Sequence, residues 1–410
     1  MNKLPLLRSL AALTASALLL AACGGGGGGG GDTLIDPPPS TRFGASSQFA
    51  NSCDLATQKR WVRSYMDEVY FFYKEIPEVD ANAFSNVSAY FDALLVRTPD
   101  AAGLPKDQWS AVLPTSQARA TAQPLSAQQQ AAPLALLASH TGVVSEPKLV
   151  PVAGRRVVGY LEFKDHAFGA QDDLVTAFQQ LRSQGVQDLI LDLRSNSGGF
   201  LYIALAAASM VTGPASSGMI FEHLQFNDKR AARTARSALN FSSTLQFGES
   251  QYLVGTPLPQ LGLTRLFVLT TGETCSASES IINSLRGVDV EVIRIGDTTC
   301  GKPYGFERKD NCGLAYFPIE FKGTNAKGFG DYTAGFTPTC REDDNLRPAT
   351  VAPGQPGDPL LEGAKYYIEN GSCRPGTASG VQSAALPKLT ARQQPSRPGW
   401  EGRVLLPQQR

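Results

Sequence analysis

The sequence predicts an α/β fold preceded by a small helical subdomain, and two patterns support this prediction. In the second half of the chain, apolar runs at residues 157–163 and 188–193 flank an amphipathic segment at 172–184. A strand, a helix and a strand in this order imply a parallel pair joined by a crossover. Between residues 55 and 96, aromatic and aliphatic side chains recur at helical spacing, which predicts packed helices.

The remaining core elements follow from the same reading of apolar runs and periodicity. We expect helices at residues 201–211, 228–239 and 358–368, and strands at 218–226 and 315–321. By composition, the chain divides into a signal peptide at 1–22, a flexible linker at 23–50, an N-terminal helical subdomain at 51–113, a low-complexity linker at 114–154, the α/β core at 155–375 and a disordered tail at 376–410.

The start of the chain has the features of an export signal. Basic residues precede an apolar run at 10–22 that ends in Leu-Ala-Ala-Cys at Cys23, a pattern typical of bacterial lipoproteins. Cys23 would become the lipidated first residue, and the glycine run at 24–31 would act as a tether. An ordinary signal peptide with an incidental cysteine is the alternative. We expect a lipid-anchored protein facing the periplasm, and the absence of Asp after Cys23 favours the outer membrane.

Charge and metal-ligand spacing exclude several function classes. Lys+Arg and Asp+Glu both number 37, so nothing indicates a nucleic-acid partner. No Cys-x-x-Cys or His-x-x-x-His spacing occurs, so we expect neither a metal nor a cofactor.

Ser276 lies where a predicted strand at 266–269 leads into a predicted helix at 278–285. A hydroxyl at such a junction lies beside unpaired backbone N–H groups and the positive end of the helix dipole, where an oxyanion would be stabilised. The alternative role is an ordinary helix N-cap. The neighbouring Cys275 offers a thiol as another possible nucleophile.

Lys302 follows a predicted strand at 290–295 and a Gly-rich turn, from which it could fold back over Ser276. A base must be uncharged to accept a serine proton. Lowering a lysine pKa to near neutral costs about 4 kcal/mol, so the side chain would have to be buried. A solvated surface lysine is the alternative.

Three motifs in order resemble the carboxyl-terminal processing (tail-specific) serine peptidases. They are Leu-Ile-Leu-Asp-Leu-Arg-Ser-Asn-Ser-Gly-Gly at 189–199, Thr-Cys-Ser-Ala-Ser-Glu at 274–279 and Gly-Lys at 301–302. The resemblance covers residues 157–373. It implies a core similar to the ClpP/crotonase spiral and a serine endopeptidase acting on protein or peptide substrates.

The resemblance also implies residue roles. Ser276 would be the nucleophile and Lys302 the base, while Gly199 or Gly198 would bind the oxyanion alongside the N–H of Ala277. A related branch of the family uses a Ser-His arrangement, for which the chain offers only His140, His166 and His223.

The chain departs from the family pattern in two places. The PDZ domain usual in the family is missing or reduced to a remnant within residues 114–154, and Phe306 occupies the position where many members carry a Gln that orients the lysine. A phenyl ring could desolvate the ammonium but accepts no conventional hydrogen bond. The competing function is therefore a catalytically inactive, peptide-binding lipoprotein with the same fold.

Six cysteines besides Cys23 belong to a chain predicted to be exported, where disulfides form. Cys300 and Cys312 flank the Lys302 turn, and Cys340 and Cys373 bracket the last part of the core. We predict these two bridges, while Cys53 and Cys275 are left without an assigned partner.

Overall fold

A computed structural model describes residues 42–122 and 142–376 of the chain. The predicted signal peptide, Cys23 and most of the first linker fall within residues 1–41, outside the described residues. The middle of the second linker, at 123–141, and nearly all of the predicted tail also lie outside them.

The centre of the fold is a six-stranded sheet. Its strands are β2 (Lys148–Val150), β3 (Val158–Glu162), β4 (Asp188–Asp192), β7 (Arg265–Thr270), β8 (Glu291–Gly296) and β13 (Cys340–Arg341). Their order is β13-β8-β7-β4-β3-β2; five of them run parallel, and β2 at the edge pairs antiparallel with β3. The α/β class expected from the sequence is confirmed.

Both faces of this sheet are covered, which explains why its central strands carry the unbroken, buried apolar stretches 189–191 and 266–269. Leu189 and Leu191 of β4 join a core cluster with α4 (Ala170–Ser183), α5 (Leu201–Val211) and α7 (Ala277–Gly287). The residue between them, Ile190, points to the other face and packs with α8 (Pro359–Asn370).

The remaining described strands form two antiparallel sheets. Their strands are β1 (Ala111–Pro114), β5 (Ile220–Phe226), β6 (Ala238–Asn240), β9 (Tyr304–Gly305), β10 (Lys309–Asn311), β11 (Leu314–Phe317) and β12 (Phe321–Thr324). One sheet has the strand order β6-β5-β12-β9, and the other has the order β1-β11-β10.

The N-terminal helices share a core with the second half of the chain. Helices α1 (Leu55–Val69) and α2 (Val87–Ala93) place Trp61 and Phe91 against Tyr316 of β11. The same apolar cluster reaches Phe306, beside the Lys302 turn. The helical region therefore packs directly behind one of the predicted catalytic segments.

Two predicted elements are wrong in extent. The helix expected at 228–239 is a single 3-10 turn followed by the short α6 (Ala231–Thr234), because the next residues pair as β6 along the edge of β5. The strand expected at 315–321 is two strands, β11 and β12, in different sheets. Pro318 lies between them, and a proline cannot donate the ladder hydrogen bond that would continue a strand.

The low-complexity linker begins later than predicted. Residues 115–122 form helix α3 (Thr115–Ala122), and Ala118 is fully buried against the N-terminal cluster. Alanine has a high helix propensity, so an alanine-rich segment can form a helix even with few large apolar groups. Burial of one small face is then enough to hold this helix against the core.

The three disulfides among the described residues differ partly from the prediction. The predicted Cys340–Cys373 bridge is present. The predicted Cys300–Cys312 bridge is wrong, since Cys300 pairs with Cys275 and Cys312 pairs with Cys53. Proximity in sequence misled the prediction, because folding brings the Cα atoms of Cys53 and Cys312 to 5.5 Å although 259 positions separate them.

No helix within residues 42–122 and 142–376 is both long enough and apolar enough to cross a bilayer.

Candidate active site

Three loops that carry the predicted site residues leave the same edge of the central sheet. Strands β4, β7 and β8 are adjacent and parallel, with Asp192 beside Leu269 and Thr270 beside Gly296. The loops that follow these strands therefore start at one edge. The first contains Gly198 and Gly199, the second Ser276 and the third Lys302.

Ser276 occupies the position immediately before α7, as the sequence predicted. Its backbone has φ 58° and ψ −113°, a combination that is strained for a residue with a side chain. The preceding N–H, of Cys275, donates to the Asn196 carbonyl at 3.0 Å. The Ser276 side chain is fully buried, and its Oγ has no hydrogen-bond partner among the described residues.

The two glycines of the first loop lie in close contacts, Gly198 with the serine turn and Gly199 with His166. A Cβ on Gly198 would lie 2.8 Å from both the Ser276 Cβ and the Ala277 nitrogen, and the φ of Gly198 is +96°. A Cβ on Gly199, at φ +141°, would lie 2.6 Å from the His166 carbonyl oxygen. Both positions therefore require glycine. Because Gly198 has no side chain, the first loop can lie directly against the turn that carries Ser276.

The two glycine N–H groups are not equivalent. The N–H of Gly198 donates to the Asn196 side-chain oxygen at 3.0 Å, so in this conformation it is engaged within the protein, and its role as an oxyanion donor stays a prediction. Gly199 forms a parallel β-bridge with His166. The hydrogen bonds of this bridge are made by the neighbours of Gly199: the Gly198 carbonyl accepts from the His166 N–H, and the Phe200 N–H donates to the His166 carbonyl. The Ala277 N–H belongs to the first residue of a helix, where no intrahelical acceptor exists.

Asn196 ties these loops together, a role that the sequence did not reveal. Its side-chain oxygen accepts from Gly198 and lies 2.9 Å from the His166 Nδ1, while its amide nitrogen donates to the Phe163 carbonyl. Its backbone carbonyl accepts from both the Cys275 N–H and the Ser278 hydroxyl. The backbone carbonyl of this one residue thus links the glycine loop to the serine turn, while its side chain holds that loop on Phe163 and His166.

Lys302 is buried, with only 1% of its surface exposed. Its Nζ lies 4.5 Å from the ring centre of Phe306 and 5.2 Å from that of Trp109. Burial lowers the pKa of Lys302 from 10.5 to about 7, against the opposing attraction of Glu279 and Asp107. Near neutral pH a large fraction of this lysine is therefore uncharged, as a general base must be.

Glu279 connects the serine turn to the lysine turn, and the sequence indicated it only as the end of a motif. Its carboxylate accepts hydrogen bonds from the N–H groups of Ser276 (2.9 Å), Gly301 (2.8 Å) and Lys302 (2.8 Å). It also accepts from the Thr299 hydroxyl at 2.6 Å. Burial raises the pKa of Glu279, and these hydrogen bonds act in the opposite direction.

The serine turn and the lysine turn are thus held in one site, although the predicted nucleophile and the predicted base are not hydrogen-bonded to each other. The serine turn and the lysine turn share the Glu279 carboxylate. The Ser276 Oγ, however, forms no hydrogen bond with Lys302 in this conformation. Catalytic hydrogen bonds often shorten only when substrate binds.

Two of the three histidines, His166 and His223, lie among the described residues. His166 is fully buried beside Gly199, and its Nε2 has no hydrogen-bond partner among the described residues. Burial lowers the pKa of His166 to about 3, so its ring is neutral at working pH. The Nε2 of His223 lies 2.7 Å from the Thr234 carbonyl, and His140 lies outside the described residues.

Three neighbouring side chains in the site are of types that can bind a metal ion. The sulfur atoms of Cys275 and Cys300 and a carboxylate oxygen of Glu279 lie within 4.8 Å of one another. The two sulfurs are joined in a disulfide, so neither offers the thiolate that a metal would bind.

Comparison with known families gives two consecutive matches. The profile of peptidase family S41 matches residues 157–309, and that of the peptidase S41 N-terminal domain matches residues 57–111. Together they span just over half of the chain. The first match includes Ser276, Lys302 and both glycines, while the second includes most of α1, all of α2 and Trp109.

Two curated relatives carry names from the same family. A carboxyl-terminal-processing protease of Picosynechococcus is 27% identical over 161 residues, which cover 38% of this chain and 33% of the relative. A chloroplastic carboxyl-terminal-processing peptidase 1 of Arabidopsis thaliana is 26% identical over 145 residues, covering 35% and 25%. The similarity thus spans a third or less of either relative.

The fold has a counterpart among solved structures. A Bacteroides fragilis protein whose crystal structure is described as that of an S41 protease superposes with a TM-score of 0.55 at 18% identity, over 75% of this chain and 96% of its own. At this identity the likeness concerns the fold. Taken with the profile matches and the order of the three motifs, these findings show that the chain belongs to peptidase family S41.

Proposed function

We propose that the protein is an exported serine endopeptidase that hydrolyses peptide bonds through a Ser276–Lys302 dyad. The observation that carries the proposal is the burial of Lys302, which lowers its pKa to about 7. A structural lysine has no need of such a site, because burying an ammonium group is costly. Membership of a peptidase family supports the same activity.

The reaction would begin with transfer of the Ser276 proton to the neutral Nζ of Lys302. The freed oxygen attacks the scissile carbonyl, and the resulting oxyanion accepts hydrogen bonds from the N–H groups of Ala277 and Gly199. Lys302 then returns its proton to the departing amine. Attack of water on the acyl-enzyme, with Lys302 again accepting a proton, releases the second product and regenerates Ser276.

The aromatic surroundings of Lys302 support its role as a base that needs no orienting glutamine. The Phe306 ring occupies the position at which many relatives carry that glutamine, and it lies on Lys302 together with Trp109. Apolar rings exclude water and thereby favour the neutral amine. Phe306 would thus tune the basicity of the lysine, while Glu279 would fix its backbone.

A second function, peptide binding without hydrolysis, is favoured by one observation. The Ser276 side chain is fully buried and its Oγ is without a partner, so a substrate reaches it only after a local movement. A protein that never made this movement would keep the fold and bind peptides elsewhere.

Incubation of the detergent-solubilised protein with unfolded casein distinguishes the two functions. The peptidase proposal expects new peptides in the mass spectrum of the parent reaction and none with Ser276→Ala. If the parent yields no peptides and no labelling by a serine-directed phosphonate between pH 5 and pH 10, the binding function is correct.

We also propose that the protein is held in the bacterial cell envelope by lipid on Cys23, facing the periplasm from the outer membrane. The Leu-Ala-Ala-Cys sequence supports this proposal. Cys23→Ala should move the protein from the membrane pellet to the soluble fraction during detergent-free extraction, since the acyl chains supply the membrane affinity. Equal retention of parent and variant in the pellet would contradict the anchor.

A further inference from the structure

The Cys275–Cys300 disulfide joins the two catalytic loops directly. Cys275 immediately precedes Ser276, and Cys300 lies two residues before Lys302. The Cα atoms of the two cysteines are 5.2 Å apart, and their exposed fractions are only 2% and 4%. The bridge is therefore internal to the site, and the mechanism above does not use it.

The other links between the two loops are hydrogen bonds. The Cys300 N–H donates to the Thr274 carbonyl at 3.0 Å. The Glu279 carboxylate accepts from the backbone on both sides, and the Cys300 sulfur lies 3.4 Å from one of its oxygens. Two unbonded sulfur atoms need more room than two bonded ones, so opening the bridge in this packed interior forces the serine turn and the lysine turn apart.

We propose that the Cys275–Cys300 bridge positions Ser276 against Lys302, and that the site hydrolyses peptides only while this bridge is oxidised. The inference rests on the proposed function and deepens it. A dithiol reductant would supply two electrons and two protons, breaking the S–S bond to give two thiols while itself forming a disulfide. Oxidation of the two thiols restores the bridge.

This arrangement would couple activity to the compartment. A reducing cytoplasm keeps cysteines as thiols, and an oxidising periplasm joins them. A chain still in the cytoplasm would hold Ser276 and Lys302 out of register, and the site would become competent after export.

The Cys340–Cys373 bridge provides a matched control. It also spans a short separation, 33 positions, and ties β13 to the segment that follows α8. Its sulfurs belong to neither catalytic loop. A general loss of stability on removing a disulfide would affect both bridges, whereas an effect on the chemistry would be confined to Cys275–Cys300.

The test compares three full-length proteins: the parent, Cys275→Ser/Cys300→Ser and Cys340→Ser/Cys373→Ser. For each, kcat and KM on a casein-derived peptide are measured from pH 5 to pH 10, together with the melting temperature. We expect kcat of the first variant to fall about a hundredfold, because a shift on the order of 1 Å in a reacting group has this effect. Its pH midpoint should move upward, since water entering the opened site restores lysine basicity. The control variant should keep the parental kcat and midpoint.

Reversible reduction of the parent covers the case in which the first variant does not fold. The parent is treated with dithiothreitol and divided into three portions: one is alkylated only to map its free thiols, one is assayed in the reduced state, and one is reoxidised and then assayed. Turnover of the reduced portion should fall in step with the fraction of Cys275 and Cys300 found as thiols, and it should return in the reoxidised portion. Full turnover while these two cysteines are reduced, or equal losses in the two cysteine-to-serine variants, would overturn the inference while leaving the peptidase function intact. Absence of turnover in the untreated parent would instead refute the proposed function, and the inference with it.

Discussion

Ser276→Ala should abolish peptide hydrolysis, and loss of Lys302 should be almost as damaging. In the proposed dyad the nucleophile and its base act as a unit, so removing either should lower kcat by a factor on the order of 10⁴ to 10⁶. Initial rates on casein for the parent, Ser276→Ala and Lys302→Ala measure the effect. Lys302→Arg should not restore activity, because a guanidinium stays charged.

Lys302→Met provides the control for folding. The folded pKa of Lys302 is about 7, below the ordinary 10.5, so between these pH values the unfolded chain binds a proton that the folded chain has released. Burial of the lysine therefore costs stability, and this cost grows as the pH falls to about 7 and is constant below it. At 1.36 kcal/mol per pKa unit it reaches about 5 kcal/mol.

Methionine removes this cost while still packing on the rings of Trp109 and Phe306. Lys302→Met should therefore melt no lower than the parent, with its largest gain below pH 7, and yet be inactive. A Lys302→Met protein that is folded and retains near-parental turnover would contradict the role of the lysine as base.

Glu279→Ala should impair both stability and activity. The substitution leaves four buried donors without their acceptor, those of Ser276, Thr299, Gly301 and Lys302. Each buried donor left without an acceptor costs about 1–3 kcal/mol. Because the same carboxylate fixes both catalytic turns, kcat should fall by about a hundredfold. Urea unfolding and initial rates provide the two measurements.

Two further variants separate positioning from folding. Glu279→Gln keeps the size of the side chain but sets an NH₂ group against N–H donors, so it should lose much of the kcat as well. Glu342→Gln removes another buried carboxylate, which pairs with Arg374, and should lower stability while leaving kcat unchanged. Equal effects of the Glu279 and Glu342 substitutions on kcat would argue against a positioning role.

Local patterns were sufficient for much of the core. Helix α5 spans the predicted residues 201–211, because an apolar run broken only by Ser209 leaves little ambiguity about the ends of a buried helix. The junction at Ser276 was also predictable, since an apolar strand and a helix with periodic apolar residues flank it. The sequence also contained a signal for the split of the strand predicted at 315–321. Pro318 interrupts that segment, and the apolar pattern alone does not take account of it.

The sequence did not predict the contacts between residues that are distant along the chain. The partners of Glu279 include Thr299 and Lys302, from beyond the next strand, and Trp109 reaches Lys302 from the N-terminal region. Such contacts depend on strand order, which periodicity does not specify. The pairing of Cys53 with Cys312 was unpredictable for the same reason.

The most direct test of the Ser276–Lys302 dyad is the pH dependence of Ser276 modification by a serine-directed phosphonate. The labelling rate is compared in the parent, Lys302→Met and His166→Gln. The dyad predicts a rate that rises with pH through a midpoint of about 7, the pKa of Lys302, that is lost in Lys302→Met and that persists in His166→Gln. Because the pKa of His166 is about 3, a histidine base would instead give a rate already flat from pH 5 upward. A flat profile that survives in Lys302→Met and disappears in His166→Gln would contradict the dyad.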